Sequence, residues 1–253
     1  MKFILKIVLI FLISKSAFSR ETGETEITTD DGIEVYQNEK YYLLKKNVKI
    51  ISDTFVLNAE NVKINFDNSL YDIVSLKAQG NAEFISDEFK MNGNGKVLNF
   101  NVKLEILNLE GFESKLLMED IEMYSDTFIE VNNQKGNFTL KGPNSKLINK
   151  NIFIEAEFID GKFIEDLGEK QIKFLNVADE KISYIKNNDT EMYAKKINFD
   201  NETSLIELID DVTIIRNDEK ISGDYGTLDT KNNSYKIKSN NKTKVKVTIK
   251  QNE

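Results

Sequence analysis

The chain of 253 residues has 42 acidic and 34 basic side chains, and it has no histidine, no cysteine, no tryptophan and one proline, Pro143. It therefore has no Ser-His-Asp or Cys-His nucleophile, no zinc site of nitrogen and sulfur ligands, and no disulfide. Carboxylates, lysines, tyrosines and hydroxyls remain, so an enzyme built on a carboxylate pair stays possible. An apolar fraction of 40%, with 16 Phe and 9 Tyr, predicts a folded protein with a substantial core.

Residues 1–19 have the pattern of a secretory signal peptide. Lys2 precedes an apolar run over residues 3–13 that only Lys6 interrupts, and Ala17-Phe18-Ser19 is a small-x-small cleavage pattern. A membrane-spanning helix needs about 20 apolar residues, so this run is short for one. We expect export and cleavage after about Ser19. The alternative is an uncleaved stretch that remains as a membrane anchor.

Export changes the charge of the chain. Residues 1–19 contain three lysines and no acid, so the net charge moves from −8 to −11 when they are removed. An acidic exported chain is a poor candidate for binding nucleic acid, and we expect no such partner.

The dominant pattern after Gly32 is strict alternation of apolar and polar residues. It runs without exception from Leu98 to Ile106 and recurs in residues 62–66, 152–158 and 245–249. Such alternation indicates strands, and turn signals rich in Asn, Asp and Gly separate the runs at about ten-residue spacing. We predict an all-β protein of about twenty short antiparallel strands. The one helix candidate, residues 116–123, fits a strand equally well.

Acidic doublets such as Glu119-Asp120 and Asp210-Asp211 are candidates for a cation site or for a catalytic pair of carboxylates. Adjacent residues of a strand point to opposite faces, so neither doublet brings its carboxylates together. We therefore predict no metal site, no cofactor and no catalytic pair, and we expect turn or surface roles for these residues.

The sequence contains an internal repeat with three marked positions. Each copy begins with Asn or Asp followed by an apolar residue. A small residue comes eleven positions after that apolar residue, and an aliphatic residue comes five positions later still. A fourth copy is expected at Asp120-Ile121, where Ser125-Asp-Thr-Phe128 repeats Ser52-Asp-Thr-Phe55 verbatim. Stacked copies bury apolar faces that one copy cannot bury alone, so we expect residues 20–253 to form one continuous unit. The three clearest copies are Asn47-Val48, Ala59 and Ile64; Asn81-Ala82, Gly93 and Leu98; and Asp211-Val212, Gly223 and Leu228.

These residues resemble the OstA-like family, which includes the periplasmic bridge protein of lipopolysaccharide export. The resemblance lies in an Asn-Val doublet followed by residues 59–64, 80–84 and 221–229, and it is strongest over residues 44–110 and 191–230. A glycine commonly precedes that doublet in the family. Here it is present as Gly80, while Lys46, Glu119 and Asp210 take the equivalent positions.

The resemblance implies an elongated β-jellyroll of two antiparallel sheets in a V, without enzymatic activity. It implies a periplasmic location, lipopolysaccharide as the ligand, and partners in the inner- and outer-membrane export machinery, which are reached by strand pairing. A head-to-tail homo-oligomer follows from the same mode of pairing. The alternatives are a membrane-anchored jellyroll subunit of the same export complex and a β-solenoid surface or carbohydrate-binding protein.

The alternating face of the strands supplies the candidate site, either as an open apolar groove or as a packed core. Its predicted lining is Val48, Ile50, Val62, Ile64, Phe66, Phe84, Leu98, Phe100, Val102, Leu104, Val212, Ile214 and Leu228. The predicted edge strands for pairing with partners contain Ile33, Val35, Val245, Val247 and Ile249. Lysines alternate with the last three residues, and this pattern also fits simple protection of an edge against aggregation.

Overall fold

A computed structural model describes residues 23–69, 72–166, 168–240 and 244–249. Every regular element within these residues is a β-strand, and every pairing is antiparallel, so the prediction of an all-β antiparallel fold is confirmed. The predicted signal peptide lies outside the described residues. The strands are β1 (Glu26–Thr28), β2 (Ile33–Tyr36), β3 (Tyr41–Ile51), β4 (Val56–Phe66), β5 (Ile73–Ser86), β6 (Met91–Asn101), β7 (Ile106–Glu110), β8 (Ser114–Met118), β9 (Ile121–Ser125), β10 (Phe128–Asn132), β11 (Asn137–Asn149), β12 (Ile152–Asp166), β13 (Glu169–Asn187), β14 (Thr190–Asp200), β15 (Leu205–Arg216), β16 (Glu219–Asp229), β17 (Ser234–Lys238) and β18 (Lys246–Ile249).

Most of these strands pass from one sheet into a second sheet through a bend at mid-length. In four places the bend interrupts the strand, so that β1 with β2, β7 with β8, β9 with β10, and β17 with β18 each act as one bent strand. The eighteen strands therefore form fourteen layers, and each layer contributes one half-strand to each sheet. The count of eighteen strands in the described residues is close to the prediction of about twenty, but ten of the strands have 11–19 residues because they continue through a bend.

The chain is a simple meander whose hairpin turns alternate between the two sheets. We call the line of bends the apex and the opposite long side, where the hairpin turns lie, the mouth. At about 4.8 Å per layer, fourteen layers extend roughly 60 Å. Sheet A contains residues 33–36, 41–45, 61–66, 73–79, 97–101, 106–110, 128–132, 137–141, 158–166, 169–178, 196–200, 205–209, 225–229 and 234–238. Sheet B contains residues 26–28, 48–51, 56–59, 82–86, 91–95, 114–118, 121–125, 145–149, 152–156, 183–187, 190–194, 212–216, 219–223 and 246–249.

Three of the bends are β-bulges in which two left-handed residues lie opposite one residue of the neighbouring strand. In β3, Lys46 and Asn47 have φ of 62° and 48° and lie opposite Glu60. A bulge of this kind adds an unpaired residue and turns the strand while pairing continues on both sides. The same pair of left-handed residues recurs as Gly80 and Asn81 in β5 and as Asp210 and Asp211 in β15.

The sequence repeat marks these bends in three of its four expected copies. Ala59 lies opposite Val48, and Gly223 lies opposite Val212, as equivalent positions should. In the second copy the residue opposite Ala82 is Gly95, not Gly93, because the intervening hairpin is two residues longer.

The fourth copy is wrong. Asp120-Ile121 lies at the tight β8–β9 turn, not at a bend. Ser52-Asp-Thr-Phe55 closes the β3–β4 hairpin, whereas Ser125-Asp-Thr-Phe128 forms the bend between β9 and β10. In both places the serine hydroxyl accepts the backbone N–H groups two and three residues later, so one local turn serves two positions in the fold.

In sheet B, side-chain size increases from the apex to the mouth, with Val48 and Val212 as exceptions at the apex. Small residues line the apex, where the two sheets are covalently joined and must approach closely. Phenylalanines lie near the hairpin turns, so the interior has the shape of a wedge. The apex residues are Ala59, Ala82, Gly95, Ser114, Ser125, Ser145, Ala156, Ser183, Ala194 and Gly223, and the phenylalanines near the mouth are Phe55, Phe66, Phe89, Phe100, Phe138, Phe163 and Phe199.

The apex serines also satisfy carbonyl groups that the bends remove from the ladders. Ser114 donates to Gly111 O at 2.8 Å, and Ser145 donates to Gly142 O at 2.7 Å. Ser125 donates to Lys141 O at 2.6 Å. All three serines are buried, and a buried carbonyl without a donor costs about 1–3 kcal/mol.

Replacing Gly80 with alanine tests the bend. A Cβ at Gly80 would lie 2.6 Å from Glu60 Cβ, whereas a Cβ at Gly168 meets nothing within 4 Å, and the two glycines have similar φ of 79° and 84°. Both substitutions strain the backbone alike, so we expect G80A to lower the free energy of unfolding by roughly 1–3 kcal/mol more than G168A. Urea unfolding measures the difference, and equal losses would contradict a close approach at the bend.

Candidate functional site

The interior between the sheets is one continuous apolar cluster. Its buried side chains run from Leu44 in the second layer to Leu228 in the thirteenth without interruption. The inward side of each strand supplies them, because inward and outward residues alternate along every half-strand. The candidate site predicted from the sequence is part of this cluster.

Most of the predicted lining residues lie where the alternation placed them. The structure buries eleven of the thirteen to 7% exposure or less, and Val102 is partly buried against the cluster. Leu104 is 51% exposed, so its predicted place in the interior is wrong. The eleven are Val48, Ile50, Val62, Ile64, Phe66, Phe84, Leu98, Phe100, Val212, Ile214 and Leu228.

Leu104 is exposed because the apparent nine-residue strand is two strands joined by a turn. β6 ends at Asn101 and β7 begins at Ile106. The side chain of Asn101 accepts the N–H of Leu104 at 3.0 Å, and Glu105 has a φ of 50°. An asparagine that bonds its own backbone a few residues later forms a turn, and alternation alone does not reveal this.

The interior is packed. Its members from both sheets are almost all inaccessible, including Leu57, Leu98 and Leu116 at 0% exposure. Phe55, Phe84 and Phe100 contact one another with ring centroids 5.0–5.6 Å apart, and Phe89 lies 6.1 Å from Phe100. These rings fill the wide side of the wedge in the N-terminal half.

One hairpin is longer than its neighbours and crosses the mouth. In sheet A, β11 pairs with β12 only as far as Lys162, and β14 pairs with β13 only as far as Phe174. Beyond these points β12 and β13 continue to pair with each other from Phe163↔Ile172 to Asp166↔Glu169. We call residues 163–166 and 168–172 the overhang.

The overhang turns an apolar side toward the interior. Phe163 and Ile172 are 4% and 2% exposed and belong to the core cluster. The N–H of Phe163 donates to Gly136 O at 2.8 Å, and this bond attaches the base of the overhang to the β10–β11 turn. The overhang therefore covers the wide side of the wedge from sheet A.

Polar groups of the overhang contact the turns of sheet B on the other side of the mouth. Lys170, 7% exposed, donates from its ammonium to Phe89 O at 2.6 Å and from its backbone N–H to Glu119 at 2.6 Å. Lys90 contacts Glu119 at 2.6 Å and donates to Gly168 O at 2.5 Å. Glu119 is thus the centre of a small network that links the two sheets.

Burial and neighbouring charges shift the pKa values of Glu119 and Lys170. Burial alone would raise the pKa of Glu119, but Lys90 and the N–H of Lys170 outweigh it and the pKa lies below its usual value. Burial lowers the pKa of Lys170, although Glu119 opposes this effect. A carboxyl with a lowered pKa stabilises the fold above an unfolded pKa of about 4.3. The stabilisation is lost as the pH falls through the folded pKa.

Two further contacts join the sheets across the mouth. The Lys150 ammonium, on the β11–β12 turn of sheet B, lies 4.0 Å from a carboxylate oxygen of Glu169 at the tip of the overhang. Arg216, at the end of β15, donates to Asn233 O of the β16–β17 turn at 3.0 Å. Polar contacts therefore hold the mouth closed, whereas continuous backbone holds the apex.

The two ends of the stack expose strand edges. In the described residues β1 and β2 pair only with β3, and β17 and β18 pair only with β16. The predicted edge residues lie here, with Ile33 and Val35 on β2, Val247 and Ile249 on β18, and Val245 just before β18. Their side chains are 42–62% exposed. The sequence did not single out β1 and β17, which complete the two edges.

The acidic doublets have structural roles. Glu119 is the centre of the mouth network, while Asp210 and Asp211 form a bend and contact Lys196 and Lys195. In the part of the chain that the structure describes, no group of three or more Asp or Glu is arranged to hold a metal ion. The same residues include no helix of the length and apolarity needed to cross a membrane.

Comparisons with known proteins give a remote structural likeness. No protein-family model matches the chain, and no curated protein matches its sequence. Among solved structures, the chain is similar to LptH of Pseudomonas aeruginosa, described as the LptA homologous periplasmic component of the conserved lipopolysaccharide transport device. The match covers 90% of this chain and 96% of that chain at 8% identity, with a TM-score of 0.24. Such a score carries no argument, so the fold is assigned from the strand pairings.

Two leucines of the same apparent strand test the assignment of the interior. Leu98 is fully buried, and Leu104 is half exposed on the β6–β7 turn. We expect L98A to cost about 2–5 kcal/mol because it opens a cavity in the cluster. L104A should stay within about 0.5 kcal/mol of the unchanged protein. Thermal and urea unfolding measure both, and a larger loss for L104A would contradict the turn.

Proposed function

We propose that the protein is a periplasmic lipid-binding transport protein. It shields the acyl chains of lipopolysaccharide in its apolar interior and bridges the inner to the outer membrane. The observation that carries the proposal is the apolar cluster, which runs uninterrupted between two sheets through nearly the whole stack. A conduit for acyl chains requires such a path, whereas an enzyme requires converging reactive groups.

Shielding acyl chains from water requires neither charged residues nor a cofactor. Each methylene moved from water into an apolar environment gains about 0.8 kcal/mol, so a few acyl chains supply a large driving force. The interior is packed, so acyl chains must replace contacts between the sheets. The wedge suits this replacement because its wide side is held by side-chain contacts alone.

Methionine makes the wide side adaptable. Four of the five methionines, Met91, Met118, Met123 and Met192, are buried in sheet B at 4% exposure or less. Met91 pairs with Met118 next to the mouth. Methionine is unbranched and fills irregular gaps, so these side chains can repack around chains of variable length.

The ends of the stack support the bridging part of the proposal. Fourteen is an even number of layers, so β17 and β2 run in opposite directions within sheet A. If a second copy continues the stack, β17 of one copy meets β2 of the next in antiparallel pairing, and β18 likewise meets β1. Export components of either membrane with a free strand edge would pair in the same way.

The alternative within the same machinery is a jellyroll subunit that keeps residues 1–19 as an anchor. It shares the interior and the edges and differs only in processing. N-terminal sequencing of the exported protein separates the two. A mature chain that begins at Arg20 favours the soluble bridge, and one that begins at Met1 favours the anchored subunit.

Photo-crosslinking tests lipid binding in the interior. We expect a photoreactive phenylalanine at Phe100 to label lipopolysaccharide during export, because Phe100 is inside the wedge near its mouth. The matched control is the same residue at Lys77, which lies on the outer face of the neighbouring strand. Labelling from Lys77 but not from Phe100 would overturn the proposal.

Removing β18 tests pairing through the edges. We expect a chain lacking residues 242–253 to keep its strand content and thermal midpoint, because β18 pairs only with the first four residues of β16. Head-to-tail association, measured by chemical crosslinking and sedimentation, should fall.

The control for this truncation is V247K/I249K, which changes two exposed side chains and keeps the backbone donors. Association retained in the control and lost in the truncation indicates pairing through the backbone. Undiminished association of the truncated chain would contradict the proposal.

A further inference from the structure

Within the described residues, the overhang covers the wide side of the wedge from sheet A and also contacts the turns of sheet B. Its underside, Phe163 and Ile172, belongs to the apolar cluster. Its tip is held through Lys170 and Gly168 to the sheet B residues Phe89, Lys90 and Glu119. An element that is apolar below and polar at its tip has the composition of a cover over an apolar site.

The overhang is also weakly attached along its sides. From Phe163 to Asp166 and from Glu169 to Ile172 the two strands pair only with each other, because β11 and β14 end before them. Apart from the bond from the Phe163 N–H to Gly136 O at the base, local opening therefore breaks no ladder bond to a neighbouring strand. Segments with few neighbouring ladders open at lower free energy than the rest of a fold.

The contacts at the tip differ in how readily they exchange with water. Lys90 is half exposed, so its ion pair with Glu119 is weak by itself. Lys170 is buried, and its ammonium has Phe89 O as its acceptor. Opening rehydrates this ammonium, which offsets part of the cost of breaking the contact. Closing buries Phe163 and Ile172 again, so the closed form is favoured when the interior contains no ligand.

We propose that the overhang is a lateral gate through which acyl chains enter the interior between the two sheets. The gate opens by separating Lys170 and Gly168 from the sheet B turns at Phe89, Lys90 and Glu119. The inference rests on the proposed lipid-binding function. It adds where acyl chains enter the interior and which contacts control their entry. Chains enter from the side at this gate, in addition to any transfer along the stack from end to end.

A reversible crosslink between the overhang and sheet B tests the gate. Because the chain has no cysteine, two introduced cysteines are the only thiols that can react. The double variant E119C/K170C, linked by a disulfide or a short bis-thiol reagent, joins the overhang to sheet B. The control T213C/S222C links two neighbouring strands within sheet B, at positions that lie directly opposite each other. The probe is cis-parinaric acid, a polyene fatty acid whose fluorescence rises in apolar surroundings. Its uptake is followed by stopped-flow fluorescence.

We expect the linked E119C/K170C protein to take up the probe about ten-fold more slowly than the unchanged protein. After the disulfide is reduced, the same protein lacks Glu119 and should take up the probe at least as fast as the unchanged protein. The linked control should show the unchanged rate. E119A, which removes the centre of the network, should take up the probe faster. Circular dichroism and the recovered rate show that the locked protein is folded.

The failure of the gate and the failure of lipid binding give different results. If the locked and unchanged proteins bind the probe at equal rates, entry occurs elsewhere and the gate is overturned while lipid binding stands. If neither the unchanged protein nor E119A binds the probe, and lipopolysaccharide gives no change in intrinsic tyrosine fluorescence, the lipid-binding function is overturned and the gate with it.

Discussion

The structure depends on keeping the backbone ladders paired while every strand turns through a bend. A strand that bends without an extra residue loses its register on one side, whereas a bulge turns it and preserves pairing in both halves. Left-handed conformations at the bulges are inexpensive for glycine and tolerable for asparagine and aspartate. Gly80-Asn81 and Asp210-Asp211 meet this requirement directly, and Lys46 shows that the fold imposes the conformation even on a less suited residue.

The bends determine how the space between the two sheets widens from the apex to the mouth. Next to the apex, where continuous backbone joins the sheets, sheet B has mostly Ala, Gly and Ser, and the space widens toward Phe100 and Phe163 at the mouth. The two sides of the wedge are therefore held by different forces. Covalent backbone fixes the apex, while Glu119 and Lys170 close the mouth by contacts that water can replace. This asymmetry separates a potential site from an ordinary packed core.

The features predicted correctly from the sequence are those that depend on a local pattern of residues. Period-two alternation identified the strand class and eleven of thirteen interior residues, and the sequence repeat, although not predicted to mark bends, coincides with three of them. Prediction failed where one pattern has two structural meanings. Leu104 continues an alternation that Asn101 ends by forming a turn, and Ser125-Asp-Thr-Phe128 repeats a turn at a different position in the fold. The mouth network joins Lys90 to Gly168, residues that are far apart in the chain, and no local signal records such a contact.

The meander has a consequence for how the length of such a protein changes. Each layer pairs only with its two neighbours, so stability accumulates layer by layer, as in a repeat array, and folding can proceed from any hairpin outward. Inserting or deleting one hairpin changes the layer count by two and leaves the directions of both end strands unaltered. The reach of the stack can therefore evolve in steps of about 10 Å while the terminal edges stay compatible with the same partners.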